Sequence, residues 1–318
     1  MDGGRAGDVT NSNLAFVFPG QGSQYVGMGK DLCSQFSAAK RIFAEADEAL
    51  GCALSDLCFN GPEAELKLTE NTQPAILAAS IAALMVLETE TPLRPAYVAG
   101  HSLGEYSALV AVGALRFADA LKIVRQRGRL MQQAVASGEG AMAVVMGLEM
   151  DEIRSLCATA GQGEVVSPAN FNGAGQVVIA GTKSAVSRAM TLAKERGAKR
   201  VLALPVSAPF HCQLMQPAAE GLEKILRDIE VRPFSVGVIT NVDADVNFNA
   251  DRVKSLLTEQ AVRPVRWEES VKKLAELSCT RALEIGPGKV LKGLIKRIEP
   301  TIEADNFEVP QDLARLAA

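Results

Sequence analysis

The sequence predicts an α/β fold in which a parallel sheet, covered by helices on both faces, is interrupted by a smaller unit. Four short apolar runs alternate with segments of helical periodicity, as parallel strands joined by crossover helices do. These runs are 14–18, 96–99, 236–240 and 281–285. Residues 138–208 instead follow the order strand–helix–strand–strand–helix–strand, which is the split pattern of a ferredoxin-like (βαββαβ) unit.

The first part of the chain combines a polar tail with predicted helices. Residues 1–12 are polar and rich in glycine, and we expect a disordered tail without a secretory signal. Apolar spacing predicts one helix over 31–50 and, because Gly-Pro interrupts 54–68, two short helices there. The apolar stretch around 75–87 predicts a buried helix that is too short to span a bilayer.

The segment from Ala96 to Glu105 carries the clearest candidate for chemistry. An apolar run enters a Gly-x-Ser-x-Gly turn around Ser102, and an apolar helix follows. A serine on a strand-to-helix turn is typical of the nucleophile elbow of α/β-hydrolase-like domains. Gly100 and Gly104 would allow the tight turn, and the N–H groups of the helix N-terminus would favour an oxyanion. The alternative is a tight connection without chemistry.

The remaining segments complete the two predicted domains. Strands at 141–146, 165–172, 176–180 and 200–206, with helices at 150–160 and 183–196, form the smaller unit. Glycines at its entry and prolines at its exit mark 138–208 as an insertion. The large domain then comprises 13–137 and 209–318. Its last part alternates predicted helices at 216–229, 251–260, 267–277 and 289–298 with two short strands.

Composition limits the classes of function. The chain has 318 residues with 48% hydrophobic and 22% charged residues, as in an ordinary globular protein. A net charge of -4 argues against general nucleic-acid binding, which requires a basic surface. The six cysteines show neither C-x-x-C pairing nor zinc-ligand spacing, so we expect reduced thiols, no metal and a cytoplasmic location.

A serine nucleophile needs a base, and the chain contains two histidines, His101 and His211. His101 adjoins Ser102 in a tight turn, where neighbouring side chains diverge. His211 is therefore the candidate base, and the alternative is a histidine that caps the following helix. No acidic residue stands out as a third member, and a carbonyl could orient His211 instead.

Five segments, in order along the chain, resemble motifs of the malonyl-CoA:acyl carrier protein transacylases of bacterial type II fatty acid synthesis. They are Phe-Pro-Gly-Gln-Gly-Ser-Gln at 18–24, Gly-His-Ser-Leu-Gly-Glu-Tyr at 100–106, Asn-Phe-Asn at 170–172, Ser-Ala-Pro-Phe-His at 207–211 and Gly-Pro-Gly at 286–288. The resemblance covers nearly the whole chain, and the predicted insertion matches the small subdomain of that family.

The resemblance implies a role for each matching residue. Ser102 would carry the malonyl group as an ester, and His211 would act as base and then as acid. The N–H groups of Gln21 and Leu103 would form the oxyanion hole, and Arg127 would bind the malonyl carboxylate. The family's histidine is oriented by a carbonyl beside a Pro-Val-x-Trp segment, here 264–267 with Arg266 where glutamine is frequent. Further residues expected to line the substrate site are Gln73, His101, Asn172 and Phe210.

The implied reaction moves malonyl from malonyl-CoA to the phosphopantetheine thiol of acyl carrier protein in two half-reactions. It needs no bound cofactor, since the CoA thioester is a substrate, and we expect a monomer that binds neither membrane nor nucleic acid. Three other interpretations stay open: a discrete polyketide acyltransferase, a serine thioesterase or hydrolase, and a non-catalytic module that binds carrier proteins.

Acyl carrier proteins are acidic, so the enzyme should present a local basic surface. Lys289, Lys292 and Lys296 recur at helical spacing after the Gly-Pro-Gly turn, and Arg297 follows. The sequence thus predicts carrier docking along this helix. The alternative is an ordinary solvated helix face.

Overall fold

The computed structural model describes residues 13–206 and 208–316, and their strands form two sheets. The predicted tail at 1–12 and the motif residue Ser207 lie outside the described residues. The strands are β1 (Leu14–Phe18), β2 (Tyr97–Gly100), β3 (Gly140–Met146), β4 (Val166–Phe171), β5 (Gln176–Thr182), β6 (Arg200–Ala203), β7 (Gly237–Ile239), β8 (Val246–Asn247), β9 (Arg281–Ile285) and β10 (Glu303–Phe307).

The helices surround these sheets. They are α1 (Lys30–Gln35), α2 (Ser37–Leu50), α3 (Leu54–Asn60), α4 (Glu63–Leu66), α5 (Thr69–Glu90), α6 (Gly104–Ala111), α7 (Phe117–Gln133), α8 (Met150–Gly161), α9 (Lys183–Glu195), α10 (Gln216–Arg227), α11 (Ala250–Gln260), α12 (Trp267–Glu276), α13 (Val290–Ile298) and α14 (Asp312–Leu316).

The large sheet has the order β10-β9-β1-β2-β7-β8, and every pair in it is parallel except β7 with β8. Its central strand β1 is buried throughout. Phe16 and Phe18 face one apolar core, whereas Ala15 and Val17 face a second core on the other side. Helices thus cover both faces, and the prediction of a parallel-rich α/β sheet is confirmed.

The parallel register determines where the loops meet. Phe18 at the end of β1 pairs with Gly100 at the end of β2, and Val17 pairs with Glu284 near the end of β9. The turns that follow β1, β2 and β9 therefore lie along one edge of the sheet. In open parallel sheets this carboxyl-terminal edge is where ligands bind.

The small sheet has the order β4-β5-β3-β6 with antiparallel pairing throughout. One of its faces packs against α8 and α9, and together they enclose a separate apolar core. Its edge strand β4 is hydrogen-bonded to the segment before α12, since the Phe171 N–H donates to the Val265 carbonyl and the Val265 N–H to the Ala169 carbonyl, both at 2.9 Å.

Two helix predictions are wrong in their bounds. The segment 31–50 forms two helices, because Phe36 adopts an extended conformation (φ -116°, ψ 125°) between α1 and α2. The buried helix predicted at 75–87 is the longer α5, with Pro74 inside it. By length and apolar composition α5 could span a bilayer, so the prediction that it is too short is wrong. However, 83% of its most apolar 18-residue window is buried within the protein, as in a core helix.

Three elements of the large domain were not predicted from the sequence. The two-residue strand β8 is too short to show a period, and α14 is only five residues long. The sequence pattern does not indicate strand β10, because the strand contains polar residues that other groups engage or bury. Asp305 forms an ion pair with Lys292, and Asn306 is buried at the sheet edge. The period-2 rule fails where polar side chains replace apolar ones at inward-facing positions.

Candidate active site

Ser102 lies on the sharp turn between β2 and α6 in a left-handed backbone conformation (φ 52°). A Cβ on Gly100 would overlap the carbonyl of Gly104, and a Cβ on Gly104 would overlap the carbonyl of Phe18. Only glycine fits at both positions, as the sequence argument requires. A non-glycine residue with positive φ costs free energy, and this strain is characteristic of nucleophile elbows.

The Oγ of Ser102 lies 2.7 Å from Nε2 of His211. The other ring nitrogen of His211, Nδ1, lies 2.8 Å from the backbone carbonyl oxygen of Gln260. A carbonyl only accepts, so Nδ1 carries the proton and Nε2 is left to accept one from Ser102. The structure therefore brings nucleophile and base together, with a carbonyl in the place that an acid occupies in a Ser-His-Asp triad.

Burial, together with the nearby positive charge of Arg127, lowers the pKa of His211 to about 3. The imidazole is therefore neutral at physiological pH, which is the form that can accept the serine proton. The same burial lowers the pKa of His101, whose Nε2 lies 3.0 Å from Oδ1 of Asn172. His101 is thus engaged elsewhere, in agreement with its exclusion as the base.

The carbonyl that orients His211 belongs to Gln260 at the end of α11, four residues before the 264–267 segment. Arg266 does not contact His211. It pairs with Glu269 and donates to the carbonyls of Val242 and Asp243 at 3.2 and 2.9 Å. The side chain at position 266 can therefore differ from the glutamine that is frequent in the family without affecting His211.

Arg127 is 2% exposed and reaches the same cavity from α7. Its Nη1 donates to Oε1 of Gln73 at 2.7 Å, and its Nη2 donates to Oε1 of Gln260 at 2.9 Å and to Oγ of Ser102 at 3.1 Å. Among the described residues no carboxylate lies within 4.0 Å of this guanidinium. A buried cation that is held by neutral oxygens can bind an anionic ligand.

The backbone N–H groups of Gln21 and Leu103 have no hydrogen-bond acceptor among residues 13–206 and 208–316. Both residues line the cavity that contains Ser102. Unpaired N–H groups beside a nucleophile are the geometry of an oxyanion hole. Their roles stay predictions, and this arrangement supports them.

The cavity around Ser102 has a volume of about 110 Å³, which suits a small acyl group. Gln73 and Phe210 line it, as expected. Asn172 does not, because it binds His101 and lines an adjoining cleft; Asn170 lines the cavity in its place. His101 lines both spaces, and the expected role of Asn172 in lining the substrate site stays a prediction.

The adjoining cleft runs between the small sheet and α13. Val144, Val178 and Leu204 form one wall, and Val290 and Leu294 form the other. This apolar passage leads from the cavity between the two parts of the protein.

Three buried residues beneath the elbow were not identified as functional from the sequence: Glu105, Asn241 and Gln260. Oδ1 of Asn241 accepts the Ser102 N–H at 2.7 Å, and its Nδ2 donates to the Gly100 carbonyl at 2.6 Å. Asn241 follows β7, the neighbour of β2, so its position at the carboxyl end of a parallel strand was an available signal. Gln260 is distant in sequence and carried no such signal.

The predicted basic surface on α13 is not continuous. The Nζ of Lys292 lies 2.8 Å from Oδ1 of Asp305 and 3.1 Å from Oδ1 of Asn306, so this lysine faces β10. Lys289, Lys296 and Arg297 are exposed, and Arg297 lines the cleft that leads to Ser102. Carrier docking along this helix stays a prediction, and Asp305 offsets the charge of Lys292 within it.

Comparison with known proteins agrees with this geometry. The acyl transferase domain family matches residues 15–309. The malonyl CoA-acyl carrier protein transacylase of Bacillus subtilis is 48% identical over 303 residues, which are 95% of each chain. That of Escherichia coli K12 is also 48% identical, over 95% of this chain and 98% of the relative.

Solved structures extend the comparison. An acyl carrier protein S-malonyltransferase from Vibrio cholerae superposes with a TM-score of 0.94 at 50% identity, over 96% of this chain and 99% of the other. A malonyl-transacylase in complex with its type II PKS acyl-carrier protein superposes with a TM-score of 0.93 at 47% identity, over 95% and 98%. The chain therefore belongs to the malonyl CoA-acyl carrier protein transacylases, within the acyl transferase domain family.

Proposed function

We propose that this protein transfers the malonyl group from malonyl-CoA to the phosphopantetheine thiol of an acyl carrier protein, through a malonyl ester on Ser102. One observation carries the proposal. Within one small cavity, Oγ of Ser102 contacts both His211 and Arg127, a buried cation that no carboxylate of the described residues pairs with. The site thus combines a nucleophile with a receptor for a negatively charged acyl group, which a general esterase does not need.

In the first half-reaction, Arg127 binds the malonyl carboxylate and the thioester carbon lies at Ser102. The Ser102 Oγ–C bond forms as its proton moves to Nε2 of His211, and the oxyanion is stabilised by the N–H groups of Gln21 and Leu103. The C–S bond then breaks, and His211 returns the proton to the departing CoA thiolate. Each N–H donor contributes on the order of 10²–10³ in rate.

The second half-reaction reverses these steps with a different thiol. The phosphopantetheine thiol of the carrier gives its proton to His211 and attacks the ester carbon. The C–Oγ bond breaks, and the proton returns from His211 to Ser102. Because CoA leaves before the carrier thiol enters, the kinetics are ping-pong, and no bound cofactor takes part.

We infer that residues 138–208 act as a ferredoxin-like subdomain inserted between 13–137 and 209–318. The face of the small sheet opposite α8 and α9 carries Met142, which lines the cavity, and Val144, which lines the cleft. The apolar cleft would hold the pantetheine arm that CoA and carrier share. The protein would act in the cytoplasm as a monomer.

The identity of the carrier is a separate question. Both curated relatives are named for malonyl transfer to acyl carrier protein, whereas one structural neighbour is bound to a type II PKS carrier. We propose the fatty acid carrier as the partner. A lower KM for a fatty acid carrier than for a polyketide carrier supports this choice, and the reverse order contradicts it.

The direct test mixes the protein with malonyl-CoA, with and without a holo acyl carrier protein. We expect malonyl-carrier to accumulate when the carrier is present and little free malonate to appear in its absence. Rapid malonate release without a carrier would identify a hydrolase. If Ser102 does not react in either mixture, only the interpretation as a non-catalytic module that binds carrier proteins remains.

A further inference from the structure

Glu105 is a buried acid that the mechanism above does not use. It is 1% exposed in the first turn of α6, three residues after the nucleophile. Its Oε2 accepts the backbone N–H of Asn241 at 3.0 Å and Nε2 of Gln260 at 2.7 Å. Burial raises the pKa of Glu105 to about 7, while these hydrogen bonds and Arg127 oppose the rise.

The side-chain amide of Gln260 lies between this acid and Arg127. Its Nε2 faces Oε2 of Glu105 and the carbonyl of Ser102, the latter at 3.0 Å, and both of these oxygens accept. Its Oε1 accepts from Nη2 of Arg127 at 2.9 Å. Every partner therefore requires the same amide orientation, with nitrogen toward the acid and oxygen toward the cation. A proton on the other carboxyl oxygen of Glu105 leaves this orientation unchanged.

Among the described residues, this arrangement leaves Arg127 without a carboxylate in direct contact. A carboxylate in direct contact would form charge-assisted hydrogen bonds with the guanidinium and compete with an incoming substrate carboxylate. Instead, the oxygens bound to Arg127 among the described residues belong to Gln73, Gln260 and Ser102, which are all uncharged groups. Glu105 contacts Gln260, which in turn contacts Arg127, and the charge of Glu105 acts on the guanidinium through space.

We propose that Gln260 is a neutral spacer, held with its nitrogen toward Glu105 and its oxygen toward Arg127, and that this pair keeps Arg127 available for the carboxylate of the acyl group. Both are positioning residues for selectivity between malonyl and uncharged acyl thioesters. The inference rests on the proposed function, because it concerns the group that Arg127 receives. It assigns a role to the side chain of Gln260 that is separate from the contact of its backbone carbonyl with His211.

The sharpest test exchanges the two groups in the double variant Glu105→Gln/Gln260→Glu. This protein keeps one carboxyl and one amide in the network, so the loss of buried hydrogen bonds is small, but the carboxyl now adjoins Arg127. Rates of acyl-enzyme formation from malonyl-CoA and acetyl-CoA are followed by intact mass. We expect the malonyl-to-acetyl ratio of these rates to fall at least tenfold relative to wild type.

The single variant Gln260→Glu provides a second, isosteric test should the exchange impair folding. It places a carboxyl group directly beside Arg127, where a carboxylate competes with the carboxylate of the acyl group. We expect KM for malonyl-CoA to rise several-fold, with a smaller change for acetyl-CoA. An equal change for both substrates, or no change in the ratio in either folded variant, overturns the proposal.

The matched control is Glu284→Gln, since Glu284 is equally buried (0% exposed) but binds the backbone of α13 instead of the catalytic network. We expect its malonyl-to-acetyl ratio to equal that of wild type, and a fall as large as in the exchange variant would contradict the proposal. Failure of the wild-type protein to form a malonyl adduct would instead refute the proposed function.

Discussion

Two strand-to-helix turns at the same edge of the large sheet both contain two glycines but have different surroundings. The first joins β2 to α6 around Ser102, and the second joins β9 to α13 through Gly286-Pro287-Gly288. Each follows a parallel strand and has a buried glutamate. At the second turn, Glu284 accepts the N–H groups of Leu291 and Lys292 at 3.1 and 2.8 Å.

At the first turn the buried glutamate binds elsewhere, and the Leu103 N–H has no acceptor among the described residues. The N-terminus of α6 is therefore free to bind an anion beside Ser102, whereas Glu284 already occupies the N-terminus of α13. Burial raises the pKa of both glutamates to about 7. A raised pKa therefore indicates burial in both turns, and it is the neighbouring groups that distinguish the catalytic one.

The largest expected effect at the first turn comes from Arg127→Ala. Because only malonyl brings a carboxylate, acylation by malonyl-CoA should fall at least about 100-fold more than acylation by acetyl-CoA, as expected for a buried unpaired charge. The control is Arg125→Ala on the same helix, whose guanidinium binds the Leu50 carbonyl and Cys52. Equal losses for both substrates would show that Arg127 only holds α7 in place.

Phe210→Ser tests the size of the same cavity with a smaller expected effect. Phe210 lines the cavity beside His211, so its ring should exclude an α-methyl group. A hydrophobic pocket discriminates one methylene by about 1–3 kcal/mol, which predicts a roughly tenfold narrowing of the preference for malonyl-CoA over methylmalonyl-CoA. The ratio of kcat/KM values measures it, with Phe248→Ser at an exposed phenylalanine as the control. An unchanged ratio would show that Phe210 only packs.

Glu284→Gln tests the second turn through its pH dependence. The folded-state pKa of about 7 lies above the ordinary value of 4.5, so the native state binds the extra proton between these pH values. Protonated Glu284 therefore makes its full contribution to the free energy of unfolding below pH 4.5, and this contribution is lost as the pH rises toward 7. Relative to wild type, the variant should gain at most about 1.4 kcal/mol per pH unit across this window. Parallel stability curves in chemical denaturation would contradict the assignment.

The smallest expected effect is at the exposed end of α13. Charge reversal by Lys296→Glu/Arg297→Glu should raise KM for an acidic carrier protein several-fold, more at low salt, because exposed charges mainly affect association. Acylation by malonyl-CoA should not change. The double variant Lys224→Glu/Arg227→Glu on α10 makes the same change in net charge and is the control, and an unchanged KM in the α13 variant would remove α13 from the docking surface.

The sequence was most informative where one local rule determines the structure. The buried apolar run of β1 and the glycines around Ser102 allow few alternatives, and the observed strand and turn follow them. The family resemblance then placed Arg127 and His211 in one site, where the structure has them. Local rules failed for β10, where Asp305 pairs with Lys292 and Asn306 is buried.

The supporting residues could not be predicted because each acts through a contact across the fold. Gln260 lies 158 residues from Ser102 in the chain, yet its amide binds the Ser102 carbonyl. The motif predicted that Asn172 lines the substrate site, but it does not show that His101 contacts this residue. Lys292 was assigned to a basic surface by helical spacing, which cannot reveal Asp305 beside it.

The central claim, that Ser102 carries the acyl group, is tested most directly by intact mass and peptide mapping after brief exposure to malonyl-CoA. We expect one malonyl group on wild type, located on the peptide that contains Ser102, and none on Ser102→Ala. His211→Ala should retain a slow adduct, because the nucleophile and the oxyanion N–H groups remain. A malonyl group that persists on the Ser102→Ala protein, or that maps to another residue in wild type, would contradict the account.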